Sequence, residues 1–368
     1  MIDKSSLSAE WLNLKQAEFK KDPSLIESMI LALYLLEQLK QTGLDFIFKG
    51  GTSLILLLER PARFSVDIDV IVNPKVHRKE LECKNYLNKI VGDVFLKLEA
   101  DERRSYKGKI PKAHYKFIYK SNLVTKNQEG QIVQNPEREI LLDILFAENT
   151  YPVLKEKPIN TGWIKQNSEP LTVFVPCENS IAGDKLTAYA PTTIGIPYKM
   201  EKEKEIIKQL FDIGTLFNIL SDIEVFRKSF YSTAKGEISY RPESELTAEI
   251  VLQDIIDTGI IMAKRDTQQK EDVEKFEELK KGINQFRHYV YLGSFRMEEA
   301  QVAASKAAYL AAHTLVKAKG ELKKFDGVTD NKIFLIEHPD FNFLNKKLKF
   351  VAKGEALFYW SETIKLIR

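Results

Sequence analysis

The stretch from Phe46 to Val72, FIFKGGTSLILLLERPARFSVDIDVIV, constrains this chain most, because a glycine turn is followed at close range by two acids with strand spacing. The apolar run Phe46-Ile47-Phe48 predicts a short buried strand. Gly50-Gly51 breaks it, and Thr52 and Ser53 are placed to cap a helix made of Leu54 to Leu58. Glycines let a backbone approach a ligand closely. The unpaired N–H groups of a helix start, with the dipole behind them, favour an anion such as a nucleotide phosphate. Lys49, Gly50, Gly51, Thr52 and Ser53 are therefore the candidate nucleotide-binding residues.

After the turn at Arg60 to Arg63, alternation from Phe64 to Val72 puts Val66, Ile68 and Val70 on one face and Ser65, Asp67, Asp69 and Ile71 on the other. Two neighbouring carboxylates repel each other unless a cation sits between them, and hard oxygen donors of this kind suit Mg²⁺. Two-metal phosphoryl chemistry needs a third carboxylate from another strand. Glu139 to Phe146, EILLDILF, is apolar on both faces except for Asp143, and a lone buried acid is costly unless paired or metal-bound. Asp143 is the candidate third ligand beside Asp67 and Asp69, with a salt-bridged structural aspartate as the alternative.

Taken with NSIAGDKLTAY from Asn179 and KQLFDIG from Lys208, the blocks KGGTSL and RFSVDID resemble, in this order, the AbiEii/AbiGii family of nucleotidyltransferases. The gap from Gly50-Gly51 to Asp67 is longer than in the wider DNA polymerase beta type superfamily and usual in this branch. The resemblance implies an α/β (α+β) catalytic domain with a mixed sheet flanked by helices. It also implies an NTP substrate, Mg²⁺, and a toxin working opposite an antitoxin. A lysine on one helix and an aspartate on the next complete such a site, which here means Lys185 and Asp212. Lys185 would neutralise the leaving pyrophosphate, and Asp212 would orient Lys185 or help deprotonate the acceptor. Gln209 stands where the family often carries a further aspartate. The simpler reading of Asp212 is an i,i+4 ion pair with Lys208, which faces the same way.

Composition is that of a water-soluble globular protein: 44% hydrophobic and 29% charged residues over 368 positions, with a net charge of +3. Cys83 and Cys177 are too few for a disulfide framework, which points to a reducing cytoplasm. No signal peptide is visible, and the longest apolar runs are far shorter than the roughly 20 residues a membrane span needs.

Leu25 to Leu39 predict an amphipathic helix after Pro23, and Lys75 to Lys97 a second helical stretch in which His77 is a surface residue. Ala100 to Lys120 mixes basic residues with Tyr106, Tyr115, Phe117 and Tyr119, either an RNA-contacting hairpin or a solvated one. Leu171 to Val175 is a strand that closes the sheet. The turn-rich loop from Pro191 is expected to be mobile.

Beyond Ser221 strand signals vanish, so a catalytic domain over residues 1–220 is expected to be followed by an all-helical domain over 221–368. Its clusters Lys317 to Lys324 and Lys346 to Lys353, interleaved with Phe325, Phe341, Phe343 and Phe350, suit a tRNA arm, an acidic antitoxin or plain solvent. The family resemblance implies the 3′ end of tRNA as the acceptor. A small-molecule acceptor such as an antibiotic, and a catalytically silent binding module, are the alternatives.

Overall fold

The computed structural model describes residues 1–75, 80–103, 105, 110–126, 131–265, 270–327 and 334–368. His77 and Tyr106 lie outside these described residues. The chain forms two compact units, one of residues 1–149 and 154–177, the other of 150–153 and 178–368.

The first unit starts with α1 (Ala9–Phe19) and α2 (Pro23–Gln41). Asp22 caps α2 through Ser24 N at 2.8 Å, with Pro23 in the first turn, where its missing N–H costs nothing. The helix lies in the core, as its apolar spacing predicts, and is buried nearly all round, with Leu31, Tyr34 and Leu35 covered beyond the predicted stripe. Next come β1 (Ile47–Lys49), α3 (Gly50–Leu57), β2 (Ile68–Val72), α4 (Glu80–Asn88), β3 (Phe95–Ala100) and β4 (Lys112–Lys120). The helix expected to reach Lys97 stops early because Phe95 is taken into the core as the first residue of a strand. A small hairpin, β5 (Val124–Lys126) and β6 (Ile132–Gln134), precedes β7 (Glu137–Phe146), β8 (Leu154–Pro158) and β9 (Thr172–Pro176).

Seven strands form one mixed sheet in the order β3-β4-β7-β2-β1-β9-β8. β2 runs antiparallel to β1 and parallel to β7, which puts the acid-bearing strands at its centre. The strand after Leu171 does not close the sheet: β9 lies inside it, and β8, whose sequence LKEKP carries no apolar alternation, forms the edge. Charged residues at an edge discourage pairing with another chain.

The second unit is all-helical among its described residues: α5 (Glu178–Ala188), α6 (Glu203–Ile219), α7 (Ile223–Ser239), α8 (Ala248–Lys264), α9 (Lys270–Phe286), α10 (Met297–Leu315), α11 (Phe343–Leu348) and α12 (Glu355–Ile367). α10 is its axis, packing against α6, α8 and α12. Its alanine-rich face allows that closeness, with Ala307, Ala308, Ala311 and Ala312 fully buried. By packing, α5 and α6 belong to this unit, although they precede the border drawn at residue 220. No described helix is long and apolar enough to cross a membrane.

Candidate active site

The sheet brings the first group of residues together by register. Lys49 on β1 is opposite Asp69 on β2, Asp69 is opposite Asp143 on β7, and Asp143 is opposite His114 on β4. Side chains directly opposed on neighbouring strands share a face, so these four form one row across the sheet. Asp69 and Asp143 are 74 positions apart in sequence, yet only one strand spacing, about 4.8 Å, separates their backbones. The strand proper begins at Ile68, so Asp67 stands just before it, and Asp67 and Asp69 flank the fully buried Ile68.

The turn before the acids is built differently from its sequence expectation. α3 begins at Gly50, with Lys49 in the cap position, so Thr52 and Ser53 sit inside the first turn and cap nothing. Gly50 itself takes a φ of +76°, a region where L side chains are strained. A β-carbon there would lie 2.8 Å from Asp69 Cγ and closer still to Oδ2, so the glycine lets the turn rest directly on the carboxylate. Thr52 and Ser53 are completely buried. Ser53 Oγ donates to Gly50 O at 2.9 Å, and Thr52 Oγ1 bonds Ser65 Oγ at 2.8 Å and the carbonyl of Asp67. Their hydroxyls brace the turn and the approach to Asp67. What the turn offers an anion is the backbone N–H set of the helix start.

His114 was not foreseen. Its Nδ1 lies 2.6 Å from Asp143 Oδ1. An ionised carboxylate can only accept, so the ring nitrogen donates and holds one oxygen of Asp143 in place. In sequence His114 is one polar residue in an alternating strand, KAHYKFIYK, and only the pairing with β7 gives it a meaning. Among the described residues no group of three or more His, Cys, Asp or Glu side chains is drawn together as a ready-made metal cage. The donor chemistry still fits Mg²⁺, which takes one or two carboxylates and keeps waters for its other positions.

The helical unit holds the second group. Lys185 Nζ on α5 is 3.0 Å from Asp212 Oδ2 and 3.0 Å from Gln209 Oε1, both on α6. The lysine and aspartate side chains are only 6% and 1% exposed, so this is a buried ion pair. Gln209, set aside in the sequence as a departure from pattern, supplies the second acceptor.

The residues around Lys185 explain its motif. Asn179 lies in the first turn of α5, and its Oδ1 accepts from Ser221 N at 3.1 Å and Asp222 N at 3.3 Å, securing the start of α7. A β-carbon on Gly183 would be 2.6 Å from both Phe226 O and Phe230 N, so α5 and α7 touch backbone to backbone. The loop from Pro191, expected to be mobile, is anchored in its first half. Thr192 N and Thr193 Oγ1 reach Asp254 Oδ2 on α8 at 2.9 and 2.8 Å, and Arg241 holds Ile194 O at 3.0 Å.

The first basic cluster is partly spent inside the protein. Lys323 pairs with Glu362 at 2.6 Å, and Lys324 lies 3.8 Å from the ring centre of Phe217. Burial and nearby Lys306 pull the Lys324 ammonium down to about 8.

No curated protein matches the chain. Residues 34–288 match the sequence model of the family described as "Nucleotidyl transferase AbiEii toxin, Type IV TA system". That span takes in the glycine turn, the acid row and the Lys185–Asp212 pair, and the chain accordingly belongs to the AbiEii nucleotidyltransferase toxin family.

Proposed function

We propose that this nucleotidyltransferase transfers a nucleoside monophosphate from an NTP to a hydroxyl at the 3′ end of tRNA, with Mg²⁺, and thereby arrests growth when its antitoxin is absent. The observation that carries the reading is the register pair Asp69–Asp143, two acids from distant sequence blocks opposed on neighbouring strands. Asp67, Asp69 and Asp143 would hold Mg²⁺, which when bound neutralises charge at the reacting phosphate. Backbone N–H groups at Gly50 and Gly51 orient the triphosphate, and Lys49 flanks them. His114 holds one Asp143 oxygen in place. Lys185 serves the charge of the departing pyrophosphate, held in orientation by Asp212 and Gln209. A bond forms between the acceptor oxygen and the α-phosphorus, the bond to the bridging oxygen of pyrophosphate breaks, and a carboxylate takes the hydroxyl proton.

The test is label transfer from each α-³²P-NTP to total tRNA with Mg²⁺, alongside melting curves. One NTP is expected to dominate, and Asp67→Asn or Asp69→Asn should lower transfer at least about a hundredfold while the protein stays folded. Undiminished transfer by Asp69→Asn would overturn the metal assignment. Label on an antibiotic or a protein, and none on RNA, would overturn the acceptor.

A further inference from the structure

We infer that the helical unit carries a single-stranded RNA-binding surface at the N-terminal end of α10, a cavity for one nucleotide together with an exposed ring for a second base. The inference rests on the RNA-acceptor reading above. The cavity, about 790 Å³, is lined by α9 and the segment entering α10, and none of Lys185, Gln209 or Asp212 reaches it. Its size is that of a small-ligand site. Its apolar wall is Phe276, Ile283 and Phe295, each buried, and its polar wall carries Arg265, Arg287 and Arg296. The acid in the lining, Glu277, is held by Lys280 at 3.0 Å, so the surplus charge is positive. Guanidinium forks match phosphate geometry, and apolar rings match the face of a base.

A second observation comes from a different part of the chain. Phe350 is 81% exposed, the most exposed large hydrophobic side chain described, with Lys349 Nζ 5.3 Å from its ring centre and Lys346 and Lys353 exposed nearby. Burying a phenylalanine normally stabilises a fold, and this ring is left out of the core. The turn that follows it runs through three successive left-handed residues, Ala352, Lys353 and Gly354, at φ 46°, 55° and 92°. Two of them carry a β-carbon, and that conformation is costly for such residues. Ala352 N donates to Glu298 Oε1 at 2.5 Å, which fastens this turn to the first turn of α10, directly after Arg296 and Met297 of the cavity lining. The strained turn and the cavity thus share one helix end. An acidic peptide would satisfy the charge but leave the flat exposed ring without a matching face.

The probe is a short fluorescein-labelled single-stranded RNA, measured by anisotropy against its duplex form and a polyglutamate peptide. Arg287→Glu with Arg296→Glu, and separately Phe350→Ser, should each weaken single-strand binding at least about tenfold. Only the charge reversal should flatten the salt dependence. Thermal stabilisation by Mg²⁺ and NTP should be unchanged in both variants. Binding by both variants as tight as the parent's, no RNA binding by the parent, or a preference for polyglutamate overturns the inference. The acceptor reading fails separately: weakened variants with a parent that labels no RNA leave this surface standing without it, and unweakened variants with a parent that labels tRNA do the reverse.

Discussion

At Gly50 the φ of +76° and the closeness of Asp69 leave no space for even a methyl group, so one hydrogen atom decides whether the turn can lie on the acid row. Glycine there could be read from sequence, because a strand-breaking pair before a helix has few other uses. His114 could not, because its significance is its partner, and that partner is fixed by strand register. Groups that orient a metal-binding carboxylate typically matter about 10- to 100-fold in affinity or activity. His114→Ala should therefore lower label transfer by about that factor and raise the Mg²⁺ concentration needed for NTP to stabilise the protein thermally. His114→Asn, whose amide N–H₂ can reach where Nδ1 stands, should restore most of both. Equal impairment in the two variants would reduce His114 to a packing residue.

Helices and strands were legible to different degrees for physical reasons. β7 was plain because a run apolar on both faces has one home, the middle of a sheet. β8 was invisible because an edge strand needs no apolar face, and α2 read as one-sided because burial by elements on all sides leaves no mark beyond a few extra leucines. The sequence placed Lys185 and Asp212 on consecutive helices but left their pairing open, since a lysine four residues before an aspartate offers a local partner at no cost in chain order. The buried pair between α5 and α6 makes a distinct prediction. Asp212→Asn should destabilise the protein by about 3–5 kcal/mol, because it strands a buried ammonium. Lys185→Met with Asp212→Leu should recover most of that loss in urea unfolding and recover no transfer. Restored transfer in the double variant would remove Lys185 from the chemistry.

For the molecule as a whole, acid sensitivity follows from a histidine that takes no part in the proposed chemistry. Arg227 Nη2 donates to His313 Nδ1 at 2.8 Å, so the buried ring must be neutral with its proton on Nε2. Burial and the Arg227 charge push its pKa down from 6.5 to about 4. Between those values the unfolded chain binds a proton that the folded one does not, so stability falls as pH falls through the window. Urea midpoints at pH 7 and 5 should show a loss of up to about 2 kcal/mol that His313→Asn lacks; an identical pH slope in that variant would assign the sensitivity to other groups.

The two-unit path of the chain has a consequence in time. Residues 150–153 leave the sheet unit for the helical one before β8 and β9 are made, and Tyr151 and Val153 there bond Asp184 and Ser180, which come later in the chain. On the ribosome these residues emerge before their receivers, with β8 and β9 still to be made. At about 5–20 residues per second, α10, against which α6 packs, is complete roughly five to twenty seconds after Asp212 appears. The Lys185–Asp212 pair gains its final surroundings only then, so the helical unit's part of the proposed chemistry is completed late in synthesis.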